Sequence, residues 1–151
     1  MGLAAESTSI IRIKVEGKYN SILLDSGASI LAIDSEVAER LNLQLQPRRP
    51  GTYKRLISAT SEPIHVVGQV IVNFNAQNRH FQFQLYVVRN LSTRILLGLD
   101  FLRRFRVNCD YGTGQVTMSD QTWQRPICIS FTNAHEFAGV ARLSNGGVAE
   151  T

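Results

Sequence analysis

Asp25 stands where a chain built only for stability has little reason to put an acid. Leu23 and Leu24 precede it, Ser26 and Gly27 follow, and the apolar run Ala28-Ser29-Ile30-Leu31-Ala32-Ile33 begins at once. Residues 19–24 read as a buried strand entering a tight turn. A carboxylate carried into such a setting is costly unless it is paired or hydrogen-bonded. Gly27 lets the backbone approach that carboxylate, and its amide can donate with no Cβ in the way. Ser26 adds a hydroxyl small enough to be bonded there. The chemistry this suits is a carboxylate that holds and activates a water. An Asp-Ser-Gly sequence is also an ordinary turn, and Asp110-Tyr111-Gly112 has the same form. Asp110, however, lies between Val107-Asn108-Cys109 and Thr113-Gly114-Gln115, which reads as a hairpin turn. Context, not the triplet, separates the two acids.

A second stretch repeats the shape of the first. Ile95-Leu96-Leu97-Gly98 is again an apolar strand running into a glycine, and Leu99-Asp100-Phe101-Leu102 continues it in a short helical pattern. With the hairpin-like residues 54–72 between them, the two motifs resemble the retropepsins, the single-domain aspartic proteases of retroviruses and retrotransposons. That family is marked by a hydrophobic-hydrophobic-Asp-Ser/Thr-Gly-Ala motif, a flap hairpin, and a hydrophobic-hydrophobic-Gly motif before a short helix. The resemblance covers residues 10–118. After Gly98 it is closer to gypsy-type retrotransposon and cellular retroviral-like proteases than to lentiviral ones.

The resemblance implies an all-β, closed β-barrel-like acid-protease fold with one or two short helices. It implies an aspartic endopeptidase that processes a retroelement polyprotein and works as a homodimer without a cofactor. Asp25, Ser26 and Gly27 take the places of the family's catalytic loop. Ala28, Ser29, Ile30 and Leu96 take places that line substrate pockets, with Ala59, Thr60 and Ser61 above them in the flap. The chemistry needs two carboxylates about 3 Å apart that share a proton. One accepts a proton from water while the other polarises the peptide carbonyl. This chain offers one such acid and is too short for a two-lobed enzyme, so a two-fold dimer must supply the second. Ser26 and Gly27 would tie the two loops across the axis, and the substrate would lie as an extended strand under the flaps.

Three departures from the lentiviral pattern are visible. An acid is absent where Ser29 stands, and its arginine partner is absent where Leu99 stands, so that ion pair is missing and other contacts must hold the dimer. The flap tip, residues 58–63, has no glycine, and Pro63 stiffens it.

Composition sets bounds on the alternatives. A chain of 151 residues with 44% hydrophobic and 19% charged residues has room for one core. No apolar run is long enough to span a membrane, and no secretory signal is visible. Met1-Gly2 suggests an acylated N-terminus, but Glu6 stands where Ser or Thr is wanted. Without a secretory signal the sequon Asn90-Leu91-Ser92 carries no weight. Cys109 and Cys128 are too few for a disulfide scaffold and read as reduced thiols in a cytoplasmic protein, or in one enclosed in virus-like particles. His65, His80 and His135 have no partners at metal-ligand spacing, so no metal is expected. The net charge of +4 comes from scattered arginine clusters such as Arg103-Arg104-Arg106. Phe74, Phe81, Phe83 and Tyr86 sit in strand patterns and read as core rather than as base-stacking platforms, which argues against a nucleic-acid groove.

The positioning elements follow in order. Residues 1–9 form a polar lead, 10–123 the protease domain, and 124–151 an extension with one strand at 127–131 and then a flexible tail. Residues 10–16 alternate as a strand that turns into the Asp25 strand. Residues 30–33 form another strand, and Asp34 or Ser35 caps a helix over 36–41. Residues 71–75 and 81–88 pair as a hairpin around 76–80, the second limb alternating Phe and Gln. Asp100 is expected to cap a helix over 101–105, and residues 107–118 to form a last hairpin turning at 112–114. Three rival functions also fit the sequence. One is a domesticated retroviral-like domain that binds peptides or dimerises without cutting. The others are a protease module of a ubiquitin-shuttle protein and a capsid fragment whose nucleic-acid binding would depend on salt.

Overall fold

Two-residue alternation builds most of the molecule. The computed structural model describes residues 9–47 and 64–132. β1 (Ser9–Val15) turns inward with Ile11, Ile13 and Val15, which are all buried, and outward with Arg12 and Lys14, which are exposed. Glu16 and Gly17, both at positive φ, turn the chain into β2 (Lys18–Leu24). β1 and β2 pair antiparallel along their whole length, Ser9 opposite Leu24 through Val15 opposite Lys18.

β3 (Leu31–Asp34) leads into α1 (Ser35–Arg40). Of the two expected caps Asp34 is the one used, its Oδ2 accepting from the Glu36 N–H at 3.1 Å. Its Oδ1 accepts from the Leu91 N–H at 3.0 Å, so the same carboxylate ties the helix to the loop over residues 89–94. Asp34→Ala removes both bonds and should cost about 1–2 kcal/mol, more than a cap alone, measured by denaturant unfolding.

β4 (Val66–Ala76) and β5 (Arg79–Val88) are the longest strands. The expected return limb of a flap and the expected first limb of the next hairpin are one continuous strand, β4. Its alternation runs unbroken from Gly68 to Ala76, but the outward-facing Ile71 stands between Val70 and Val72, so the period of two is masked where the two limbs join. Gln77 and Asn78, both at positive φ, make a two-residue turn, tighter than the five-residue loop expected. On β5, Gln82 and Gln84 are exposed while Phe81 and Phe83 turn toward the core. The expected flap limb and tip over residues 53–63 lie outside the described residues.

β6 (Ile95–Leu97) runs into α2 (Leu99–Arg104). Here the expected cap is not the one found. Gly98 is the N-cap, with no side-chain bond, and Asp100 lies in the first turn instead. The strands close into a barrel in the order β1-β2-β6-β3-β5-β4, sealed where Lys14 and Val15 of β1 meet Asn75 and Phe74 of β4. The fold is therefore mostly β, a six-stranded closed barrel with two short helices, as the resemblance implied. Its core holds Phe74, Phe101, Ile11, Ile22, Ile33, Leu85, Ile95 and Leu97, each fully buried and worth about 1.5–3 kcal/mol in transfer terms.

β7 (Asn108–Asp110), β8 (Gln115–Met118) and β9 (Ile127–Ser130) form a separate three-stranded sheet. An aromatic cluster docks it on the barrel. Phe105 stacks on Trp123 at 5.1 Å and contacts Phe81 at 5.0 Å, and Arg79 lies over the Trp123 ring at 5.7 Å. Arg104 pairs with Asp120, whose carboxyl is held down to about 2 by the Thr122 hydroxyl and by that guanidinium. Beyond β9 the chain returns to the first strand, where the Thr132 N–H donates to the Ile10 carbonyl at 2.8 Å. Among the described residues no helix is long and apolar enough to cross a membrane.

Candidate active site

The acid singled out in the sequence ends β2, and β6 fixes where it goes. β6 lies between β2 and β3, parallel to β2 (Leu23 opposite Leu96, Leu24 opposite Leu97) and antiparallel to β3. The next bond along, from the Asp25 N–H to the Leu97 carbonyl at 3.1 Å, carries this pairing one residue past the strand. The loop then folds on itself. The Gly27 N–H donates to Asp25 Oδ1 at 2.8 Å, and the Ala28 N–H donates to the Asp25 carbonyl at 3.2 Å. The Gly27 bond is the one a glycine amide was expected to make.

A second attachment fastens the loop from the other side. The Leu99 N–H donates to the Ala28 carbonyl at 2.8 Å. Gly98 lies directly beneath, where a Cβ would come 2.3 Å from the Ile30 carbonyl oxygen and 2.4 Å from that of Ala28. Its φ of −91° is open to any residue, so glycine is required by space rather than by torsion. The two motifs read in the sequence are thus the two halves of one joint: the Asp25 loop rests on the Gly98 junction.

The expected site residues divide by position. Asp25 is half-buried, and Ser26, Gly27 and Ser29 are exposed. Ala28, Ile30 and Leu96 come together in an apolar cluster on the outer side of the barrel wall, distinct from the main core. Ala59, Thr60 and Ser61 lie outside the described residues. The cluster also contains Leu23, Ala32 and Val88, all buried, with Ile64, Val66 and Tyr86 packed against it. These six were not read as site residues. The available signal was the alternation that sends Leu23, Ala32 and Leu96 to the face opposite the core, but it does not say that those faces adjoin.

Asp110 Oδ1 accepts from the Gly112 N–H at 2.9 Å and the Thr113 N–H at 3.2 Å, the same local turn chemistry as Asp25. Asp110 is exposed on a hairpin of the small sheet, whereas Asp25 adjoins the apolar cluster and is half-buried. The surroundings separate the two acids, as the sequence context did. Among the described residues no three His, Cys, Asp or Glu side chains gather as metal ligands would.

The chain matches the family model described as "gag-polyprotein putative aspartyl protease" over residues 11–104, which spans the Asp25 loop, the Gly98 junction and α2. No curated protein matches it in sequence. Among solved structures it is similar to the retroviral protease-like domain of Ddi1 from Leishmania major. That likeness has a TM-score of 0.64 at 18% identity and covers 86% of this chain and 97% of that one. It is also similar to the EIAV protease complexed with the inhibitor HBY-793, with a TM-score of 0.53 at 16% identity, over 65% of this chain and 88% of that one. At these identities the likeness is one of fold, and it is the retropepsin-like fold. The family match covers more than half of the sequence: the chain belongs to the gag-polyprotein aspartyl protease family.

Proposed function

We propose that the protein is an aspartic endopeptidase that cuts extended polypeptide segments, with its active site completed by a second copy of the chain. The observation that carries this reading is the joint described above. A half-buried carboxylate follows an apolar strand, is hydrogen-bonded by its own loop, is fastened to a second strand-glycine junction, and adjoins an apolar cluster suited to side chains. One Asp25 is half of what the chemistry needs. In the dimer the two carboxylates meet at the two-fold axis with a water between them. The ionised one takes a proton from the water as its oxygen attacks the peptide carbonyl, and the protonated one donates to the carbonyl oxygen. Ser26 and Gly27 position the pair, and Ala28, Ser29, Ile30 and Leu96, with Ala59, Thr60 and Ser61, contact the substrate. The family match favours a retroelement polyprotein as the natural substrate.

Subunit mixing tests this reading. Wild-type and Asp25→Asn chains are allowed to exchange at constant total protein, and cleavage of an unstructured protein is followed. A mixed dimer has one working acid, so activity should fall as the square of the wild-type fraction. A linear fall would show that each chain carries a whole site and would end the dimer proposal. Dilution should also lower specific activity, because monomers hold half a site. A peptide that mimics the tetrahedral intermediate with a hydroxyl should block cleavage. If the wild type binds such peptides and never cuts, the non-cleaving, domesticated reading replaces this one.

A further inference from the structure

The Asp110 turn has a use of its own. The two bonds to its carboxylate, and a third from the Gly114 N–H to the Asp110 carbonyl at 2.8 Å, shape a tight tip between β7 and β8. That tip carries Tyr111, whose ring is 57% exposed and stacks on Phe131 at 5.5 Å. The Tyr111 hydroxyl shares a 2.7 Å hydrogen bond with the hydroxyl of Ser9. Ser9 is 3% exposed, and a hydroxyl so buried needs a partner. Asn20 and Thr93, the other buried polar side chains among the described residues, find theirs in carbonyls two residues away. Ser9 is bonded from 102 residues away.

These contacts close into a ring. Tyr111 stacks on Phe131, the Phe131 N–H donates to the Gly114 carbonyl at 2.8 Å, and the Thr132 N–H donates to the Ile10 carbonyl. The path leaves β1 at Ser9 and returns to it one residue later. It brackets the start of β1, where β1 meets the acid-bearing strand. Ser9 stands opposite Leu24, the last pair of that ladder and the residue before Asp25. β2 lies between β1 and β6. β6 fixes the acid from one side, through the bond from the Asp25 N–H to the Leu97 carbonyl, and the bracketed end of β1 lies along the other. Every residue of the bracket falls outside residues 11–104, the span that the family model matches.

We propose that Tyr111 is a positioning residue for Asp25, its hydroxyl holding Ser9 and, through Ser9, the end of β2, so that the two carboxylates of the dimer meet at the separation the reaction needs. The proposal rests on the protease reading above and adds a residue to its machinery. Tyr111 acts through Ser9 and Leu24, not on the substrate.

Tyr111→Phe removes the hydroxyl and keeps the ring on Phe131. It should lower kcat about tenfold with KM unchanged, a part of the loss that follows when a catalytic group moves by about 1 Å. The pH profile separates positioning from mere support. Two carboxylates in contact repel, which holds their apparent pKa values apart. Loops no longer held let the carboxylates separate, so the two values draw together and the bell of kcat/KM against pH narrows. A variant that is only less folded gives a lower bell of the same width. Ser9→Ala removes the same bond from the other side, should act alike, and serves if Tyr111→Phe does not fold. The double variant should lose no more than either single one. Tyr19→Phe is the control and should change nothing, since Tyr19 is 61% exposed but sits at the far end of β2. Asp110→Asn keeps an oxygen to accept the turn bonds and leaves the tip as it is. A wild-type kcat in Tyr111→Phe, or a bell of unchanged width, overturns the proposal. So does a loss recovered by raising the protein concentration, which would make Tyr111 a dimer contact instead. Should the wild type never cut, the protease reading fails separately, and amide hydrogen exchange decides. Tyr111→Phe should then speed exchange at Leu24 and Asp25 about tenfold and leave Lys18 as it is. Equal rates at Leu24 and Asp25 in variant and wild type overturn the bracket on its own.

Discussion

Asp25→Asn should lower kcat by at least the 10²–10⁴-fold, or about that, which positioned acid–base catalysis supplies. It should do so without unfolding the protein. Asparagine is nearly the same shape and keeps an oxygen that can accept the Gly27 N–H, the 2.8 Å bond that shapes the loop. What it lacks is the ability to take a proton from water. In the proposed dimer both acids are replaced at once, so residual activity should be within background. The measurement is cleavage of an unstructured protein, with circular dichroism and thermal melting run alongside. Asp110→Asn is the matched control: the turn chemistry is the same, and activity should be unchanged. A fully active Asp25→Asn with wild-type melting would remove Asp25 from the mechanism.

Gly98→Ala should produce the largest loss of stability from one added methyl group. The new Cβ would meet two backbone oxygens, those of Ile30 and Ala28, at 2.3 and 2.4 Å. Backbone atoms cannot swing away as a side-chain tip can. Either the Asp25 loop lifts off the β6–α2 junction or the junction itself opens. Overpacking of this kind costs about 3 kcal/mol, which lowers the melting midpoint on the order of 10 °C for a domain of this size. Activity should fall further than stability alone explains, since a catalytic group misplaced by about 1 Å can cost about 100-fold. Gly112→Ala is the contrast, because its nearest neighbour is a side-chain oxygen at 3.3 Å. It should change the midpoint little. A Gly98→Ala protein that melts like the wild type would show that the loop does not rest on this glycine.

Much of this was legible in the sequence, for reasons that can be traced residue by residue. β1 and β5 were readable because one face is wet and the other dry, so Arg12 and Lys14 alternate with isoleucine, and Gln82 and Gln84 with phenylalanine. Asp25 was readable because an acid inside an apolar run needs a reason. The cap of α2 was not. Asp100 has the side chain of a cap, but the helix starts earlier, at Leu99, and its cap position is Gly98, where the close approach of Ala28 and Ile30 leaves no room for a side chain to do the capping. The length of β4 was hidden by Ile71, an apolar side chain on the wet face that turns Val70-Ile71-Val72 into an unbroken apolar run. The outer apolar cluster that joins Leu23, Leu96, Ala32 and Tyr86 was invisible for a different reason. It depends on register between strands far apart in the chain, and no local pattern encodes which outward faces become neighbours.

The bond between Thr132 and Ile10 has a consequence for how such a domain can be carried. The last described segment returns to the side of the first, so the path through the domain begins and ends at nearly one spot. A unit with that geometry can be spliced into a longer polypeptide as a cassette, because the host segments on either side are not forced apart. Its folding would tax the host little: closing a chain around it adds only about 0.6 kcal/mol for each doubling of the enclosed length.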